Sequence, residues 1–212
     1  EGELSNDYKF TKTALESCVS EKTKAIILNS PNNPTGSVYT KDELNIIAEV
    51  AKKNDIFIIS DEIYEKLIYE ENHESIASIS KDAYERTIII NGLSKAYSMT
   101  GWRVGYTASS EKIASLMNKL QSHTTSNTNT ISQYAGVEAL NGNQESIYLM
   151  KKAFNERRDY MINRLSEMKD ISYIYPKGAF YIMVNVENYL GYKNLQTSIN
   201  FTKELLEKEK VA

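Results

Sequence analysis

The stretch NGLSKAYSMTGWRVGY, residues 91–106, decides how the rest of this chain of 212 residues is interpreted. It follows the apolar run TIII at 87–90, and it contains two positive charges, Lys95 and Arg103. A lysine in a loop of small residues after a buried strand can lose its hydration, which makes its amine a nucleophile. An arginine eight positions later offers a planar fork of donors that suits a phosphate. An amine beside a phosphate clamp is the combination that pyridoxal phosphate requires.

The composition is that of a globular protein that binds neither nucleic acid nor membrane. Hydrophobic residues make up 41% and charged residues 25% of the chain, with a formal net charge of −3. A negative net charge without a basic cluster lacks the electrostatic footprint of nucleic-acid binding. No run of about 18 apolar residues is present, so no membrane span is predicted. The single cysteine, Cys18, and first residues without a signal pattern predict a reducing, cytoplasmic location.

Short apolar runs alternate with helical and turn signals in the first half of the chain. Four runs are predicted as strands, at residues 25–28, 57–59, 87–90 and 104–108. The first three are continuously apolar, which is typical of strands covered on both faces. Thr40 and Glu43 have the spacing of a capping box and predict a helix over 41–53. The alternation predicts an α/β fold with a mainly parallel sheet and flanking helices.

Polar residues follow three of these predicted strands. Asn33, Asp61 and Lys95 each come shortly after an apolar run. In open parallel sheets, ligands bind beyond the carboxyl ends of the strands. We therefore expect these three side chains to lie at the same edge of the sheet and to contact the same ligand.

Helical patterns dominate the second half of the chain. Helices are predicted at residues 111–120, 132–140, 144–168 and 196–208, in addition to a short one at 10–19. Two strands are predicted at 171–175 and 180–186, on either side of the turn at 176–178. The long helix is expected to lead from the sheet into a second domain.

Three motifs in order resemble one enzyme family. Ser94 and Lys95, followed by MTGWR at 99–103, resemble the lysine motif of the class I/II aminotransferases, the fold-type I pyridoxal phosphate enzymes. The stretches NNPTG at 32–36 and DEIY at 61–64 match upstream motifs of the same family. The resemblance is strongest to the aspartate aminotransferases. It implies that residues 1–145 are part of the coenzyme-binding large domain and that 146–212 are part of a smaller α+β domain, beginning with a connecting helix. Both ends look cut, so we expect an internal fragment without turnover of its own.

The resemblance implies a role for each motif residue. Lys95 would hold the coenzyme covalently and move the substrate proton, and Asp61 would pair with the ring nitrogen. Asn33 and Tyr64 would donate to the phenolic oxygen of the ring, while Ser94 and Arg103 would bind the phosphate. Lys95, Asp61 and Tyr64 are therefore the expected catalytic residues.

Other interpretations of these residues stay open on the sequence alone. Asp61 could cap a helix after its strand, Asn33 could be an ordinary turn residue, and Lys95 could be a surface lysine. Tyr64, one of 15 tyrosines, could belong to the core.

Several further residues carry weaker expectations. The stretch QSHTTSN at 121–127 resembles one common in aspartate-directed members of the family, which favours aspartate and 2-oxoglutarate as substrates. His73 is expected at the surface and Trp102 in the core. The segment PKGAFY at 176–181 resembles a strand near bound substrate and is interpreted as structural. Two histidines and one cysteine predict no metal site of the usual kinds.

The predicted activity is transfer of an amino group between an amino acid and a 2-oxo acid, in an enzyme that the resemblance implies is a homodimer at full length. The alternatives are another fold-type I activity, namely an aromatic aminotransferase or a C–S lyase, and a non-catalytic sensor domain of a transcription regulator. A fragment with no function by itself is a further alternative.

Overall fold

A computed structural model describes residues 7–70, 72–192 and 195–211. Its main feature is a four-stranded sheet whose strands lie side by side in chain order. The strands are β1 (Ala25–Asn29), β2 (Phe57–Asp61), β3 (Thr87–Gly92) and β4 (Gly105–Ala108). The first three are parallel to one another, and β4 runs antiparallel to β3. The predicted α/β fold with a mainly parallel sheet is confirmed.

The helices lie at or near their predicted positions. They are α1 (Lys12–Cys18), α2 (Lys41–Lys53), α3 (Lys81–Arg86), α4 (Glu111–Thr124), α5 (Thr130–Asn141), α6 (Glu145–Ser166) and α7 (Ser198–Glu209). The short helix α3 was not predicted, although Ser80 caps it by accepting a hydrogen bond from the Ala83 N–H at 3.1 Å. In the described part of the chain, no helix is both long and apolar enough to cross a membrane.

Helix α2 shows why the first half of the chain folds as predicted. The Thr40 N–H donates to the Glu43 carboxylate at 2.7 Å, and the Glu43 N–H donates back to the Thr40 hydroxyl at 3.4 Å. This capping box satisfies two backbone donors and fixes where the helix begins. Leu44 and Ile47, one turn apart, are then buried against Ile58 of β2. Burial of each such side chain contributes about 1.5–3 kcal/mol.

The prediction that the strands are covered on both faces is wrong for the described residues. Alternate side chains of β1 differ sharply, since Leu28 is 2% exposed and Ile27 is 71% exposed. Phe57 and Ile90 are also exposed, at 46% and 40%. The described helices that contribute to the core therefore pack against one face of the sheet. A continuous apolar run does not distinguish a strand covered twice from one covered once.

The predicted strands near the C-terminus are shorter than expected. The strands β5 (Ser172–Tyr173) and β6 (Val184–Asn185) form a two-residue antiparallel ladder. The intervening segment 176–181 instead binds the first half of the chain, because the Ala179 N–H donates to the Leu67 carbonyl at 2.8 Å. The Lys177 and Gly178 N–H groups both donate to the carbonyl of Gly36, at 2.9 and 3.0 Å. We call residues 176–181 the docked segment.

Candidate functional site

The carboxyl edge of the sheet is held together by Asn29, a residue that the sequence analysis did not single out. Asn29, the last residue of β1, is paired in register with Asp61, the last residue of β2. Its side-chain amide donates to the Asp61 carbonyl at 3.1 Å, and its side-chain oxygen accepts from the Asn33 N–H at 2.9 Å. Asn29 thus ties the loop that carries Asn33 to the strand that carries Asp61. An asparagine at a strand end was the available sequence signal.

The loop after β1 is folded tightly on itself and on the docked segment. Asn32 accepts hydrogen bonds from the Thr35 N–H and hydroxyl, at 3.2 and 2.8 Å. Gly36 has a φ of +71°, and a Cβ added there would lie 2.4 Å from the Cβ of Pro176. Only glycine satisfies both constraints without strain. Asn33 remains exposed, and its side chain lies close enough to Tyr64 to lower the pKa of the Tyr64 phenol.

Tyr64 is the buried centre of the site, with 3% of its surface exposed. It lies in the turn that follows β2, where the carboxylate of Asp61 accepts from the Ile63 N–H at 3.1 Å. Burial raises the pKa of the Tyr64 phenol most strongly, and its hydrogen bond with Tyr181 and the charge of Asp61 raise the pKa further. The Asn33 side chain lowers the same pKa. Asp61 therefore does cap the turn, and it also acts electrostatically on Tyr64.

Lys95 lies against aromatic rings rather than in open solvent. It follows β3, and its Nζ atom is 5.5 Å from the ring centres of both Tyr64 and Phe180. Its side chain is partly buried and has no ion pair within the described residues. Contact with ring faces in a partly dehydrated setting stabilises the ammonium by about 0.5–2 kcal/mol. Lys95 is therefore partly buried rather than fully solvated.

The structure brings Asn33, Asp61, Tyr64 and Lys95 together, and it places Arg103 and Ser94 less directly. Arg103 has a left-handed φ of +54° and is exposed, and its guanidinium donates to the Thr100 carbonyl at 2.8 Å. It lines a groove with Trp102 and residues at the start of α5. Ser94, next to Lys95, is partly buried. Trp102 is 46% exposed, so its predicted core position is wrong within the described structure.

The docked segment supplies two site residues that were interpreted as structural. The Tyr181 hydroxyl lies 2.7 Å from the Tyr64 hydroxyl. The Phe180 ring packs edge-on against Tyr64, with ring centres 5.4 Å apart. No local pattern could have identified these contacts, because Tyr181 is separated from Tyr64 by 117 positions.

Beside Asp61, a buried carboxylate network supports the turn. Glu62 accepts from the hydroxyls of Ser60 and Ser75 at 3.0 and 2.8 Å, and its other oxygen lies 2.8 Å from His73 Nε2. His73 is therefore partly buried, and the expected surface position is wrong. Possible ligand atoms of Glu62, Glu65 and His73 lie within 4.8 Å of one another. Of these three residues, Glu62 and His73 are joined by a hydrogen bond.

Comparison with known proteins identifies relatives along nearly the whole chain. The family model described as Aminotransferase class I and II matches residues 2–212. An aspartate aminotransferase of Bacillus subtilis is 46% identical over 216 residues, which covers 100% of this chain and 54% of the relative. An aspartate aminotransferase of Bacillus sp. strain YM-2 is 46% identical over 207 residues, covering 97% of this chain and 53% of the relative.

A solved structure has the same arrangement of elements. The aromatic aminotransferase of Pyrococcus horikoshii superposes with a TM-score of 0.91 at 38% identity, and the match covers 98% of this chain and 54% of that protein. The chain spans about half the length of each of these relatives.

Proposed function

Because this chain belongs to the class I and II aminotransferases, we propose that it forms part of an enzyme that uses pyridoxal 5'-phosphate to transfer an amino group from aspartate to 2-oxoglutarate. The observation that carries the proposal is the position of the Lys95 amine, 5.5 Å from the centre of the Tyr64 ring. Tyr64 in turn contacts Asn33 and is within electrostatic range of Asp61. Three motifs that are far apart in sequence thus converge on one buried side chain.

The residues present fit the functional groups of this coenzyme. When bound, pyridoxal phosphate supplies a ring that accepts electron density from the α-carbon of an amino acid. The Asp61 carboxylate would keep a ring nitrogen protonated, since an opposite charge nearby favours the charged form. Tyr64 and Asn33 would donate hydrogen bonds to a phenolic oxygen. Ser94 and the planar guanidinium of Arg103 would bind the phosphate.

Lys95 would supply the reactive amine. Its Nζ atom lies 5.5 Å from the ring centres of Tyr64 and Phe180, beside the side chains that would hold the coenzyme ring. That amine would hold the coenzyme covalently and, once released, accept and return the proton of the substrate α-carbon. We assign the catalytic roles to Lys95, Asp61 and Tyr64.

Two observations bear on the substrate. The relatives in Bacillus are named aspartate aminotransferases, and the stretch at 121–127, which ends α4 and continues beyond it, favours the same substrate. The structural likeness to an aromatic aminotransferase supports aromatic amino acids as the second candidate. A panel of amino acids with 2-oxoglutarate, assayed on the full-length enzyme, separates the two by their kcat/KM values.

The proposal extends to the organisation of the full-length protein. Helix α6 begins at Glu145, which supports a boundary between a large domain at 1–145 and a small domain at 146–212. We further propose a cytoplasmic homodimer. The free thiol of Cys18 is compatible with a reducing compartment.

Covalent labelling tests the proposed coenzyme site directly. The protein is incubated with pyridoxal phosphate and reduced with borohydride, and the modified peptide is identified by mass spectrometry. We expect the label on Lys95 and its loss in Lys95→Ala, whereas the control Lys112→Ala, in α4, should label as the wild type does. Equal labelling of several lysines, unchanged by Lys95→Ala, would refute the proposal.

A further inference from the structure

Tyr181 contacts the proposed coenzyme site through one pair of oxygen atoms. Its hydroxyl lies 2.7 Å from that of Tyr64, a normal distance for a hydrogen bond between hydroxyls. The two rings meet edge to face, with centres 5.8 Å apart and planes at 85°. The ring contact limits where each hydroxyl can move, so the oxygen pair is held from both sides.

The backbone around Tyr181 is fixed to the part of the chain that carries Tyr64. The Ala179 N–H donates to the Leu67 carbonyl at 2.8 Å, and the Tyr69 N–H donates to the Lys177 carbonyl at 3.0 Å. The Tyr69 hydroxyl also donates to the Ala179 carbonyl. Tyr181 therefore reaches Tyr64 from a docked segment rather than from a loose loop.

Either hydroxyl of the Tyr64–Tyr181 pair can be the donor, because a phenol has one proton to donate and lone pairs to accept with. When Tyr64 donates, Tyr181 holds the proton that Tyr64 would offer to a ligand; when Tyr181 donates, the Tyr64 proton is free for a ligand. The Asn33 side chain lowers the pKa of Tyr64. The ionisable groups facing Tyr64 are Asp61, Lys95 and Tyr181 itself.

We propose that Tyr181 is a positioning residue for the coenzyme, which keeps the hydroxyl of Tyr64 in place and lets that hydroxyl donate a hydrogen bond to the phenolic oxygen of the bound coenzyme. The inference rests on the proposed function and assigns a role to a residue outside the three motifs. When Tyr64 donates to the coenzyme, Tyr181 turns its own proton toward the Tyr64 oxygen. That added hydrogen bond polarises the Tyr64 hydroxyl and makes it a stronger donor.

The first test uses the protein without coenzyme. Thermal midpoints are measured for Tyr64→Phe, Tyr181→Phe and the double variant, which together isolate the interaction between the two hydroxyls. Loss of one hydrogen bond in a chain of this size lowers the midpoint by about 2–4 °C. We expect that fall for Tyr181→Phe in the wild-type background and no further fall in the Tyr64→Phe background. Additive effects would overturn the proposal.

The second test uses bound pyridoxal phosphate. Tyr181→Phe should raise the dissociation constant of pyridoxal phosphate by about 3- to 10-fold, the range expected for the loss of one hydrogen bond. The pH midpoint of the coenzyme's visible absorbance should rise by about half a unit. A hydrogen-bond donor withdraws electron density from the phenolic oxygen, and the lysine nitrogen then loses its proton more easily. When the donor is weakened, that nitrogen keeps its proton up to a higher pH. A purely structural residue would not move this midpoint.

Tyr69→Phe is the matched control, because it removes a hydroxyl that binds the same docked segment without contacting Tyr64. It should lower the thermal midpoint. It should leave the coenzyme affinity within about twofold of the wild-type value and the absorbance midpoint within about 0.1 pH unit of it. Equal changes in both variants would overturn the role of Tyr181, as would no change in Tyr181→Phe. A wild-type protein that binds no coenzyme would instead overturn the proposed function and, with it, this role.

Discussion

Removing the Glu62 carboxylate tests whether the network beside Asp61 holds the site together. Glu62 is 3% exposed and accepts hydrogen bonds from two serines, while His73 Nε2 lies 2.8 Å from its second oxygen. His73 Nδ1 is buried and has no partner in the described part of the chain, so we place the ring proton on Nε2. All three neighbours then donate to one carboxylate.

Two substitutions should give graded losses of stability. Glu62→Gln keeps an oxygen for the two serines but turns an amide N–H₂ toward His73, where two donors would face each other. Either that contact stays unsatisfied or the proton moves to the buried Nδ1, and we expect a loss of about 1–3 kcal/mol. Glu62→Ala leaves three donors, of which Ser60 is buried and Ser75 and His73 are partly buried, without their acceptor and creates a cavity, so the loss should be about 3–5 kcal/mol.

The assay is urea unfolding followed by circular dichroism, with the free energy of unfolding taken from linear extrapolation. Glu65→Gln is the control, because Glu65 lies on the same turn and, among the described residues, its ion pair is with the half-exposed Lys66 at 3.6 Å. It should change the free energy of unfolding by less than about 0.5 kcal/mol. If Glu62→Ala lost no more than this control, the carboxylate would not support the turn and the argument from the network would fail.

Two further predictions concern other parts of the fold. Burial alone would raise the pKa of Glu43, but hydrogen bonds from Lys9 and Thr40 hold this pKa below its ordinary value of 4.5. The stability that the Glu43 carboxylate contributes to the fold is therefore present above pH 4.5, and it is lost as the pH falls through the lower folded-state pKa. Glu43→Gln should therefore cost about 1 kcal/mol at pH 7 in urea unfolding, and its difference from wild type should narrow in acid; a constant difference would contradict this. Gly36→Ala should cost more than about 2 kcal/mol because of its φ of +71° and the 2.4 Å approach to Pro176. Gly101→Ala, with nothing within 4 Å of an added Cβ, should be nearly neutral, and equal costs would show that the tight contact at Gly36 is unimportant.

The elements that the sequence predicted correctly are those decided by neighbouring residues. Helix α2 has the predicted bounds, Lys41–Lys53, because its capping box and its apolar spacing lie within one stretch of sequence. The strands β1, β2 and β3 also fall on their apolar runs. Helix α3 was missed because six residues are too few for an apolar periodicity to be recognised.

The predicted strand at 180–186 fails for a different reason. The alternation of side chains there is compatible with a strand, but only Val184 and Asn185 pair with β5. Residues 177–179, directly before the predicted strand, are held by Leu67, Tyr69 and Gly36 through backbone hydrogen bonds. A partner that lies more than a hundred positions away leaves no signal in the local pattern, so the sequence could indicate an extended segment but not what it binds.

The same distinction separates the site residues that were predicted from those that were missed. Asn33, Asp61 and Lys95 could be found because strand order alone brings the ends of β1, β2 and β3 to one edge. Tyr181 could not, since its position depends on how the docked segment meets Gly36 and Leu67. The Gly36 carbonyl accepts from both Lys177 and Gly178, so the loop that carries Asn33 and the segment that carries Tyr181 share one anchor.

That shared anchor has a chemical consequence at Tyr64. Asn33 and Tyr181 act on the Tyr64 hydroxyl with opposite effects on its pKa, and a displacement at Gly36 would move both together. We therefore expect the packing of Gly36 against Pro176 to influence the donor strength of Tyr64, although Gly36 has no polar side chain. The sequence motif assigns Asn33 and Gly36 separate roles, whereas we expect the position of Asn33 to depend on Gly36.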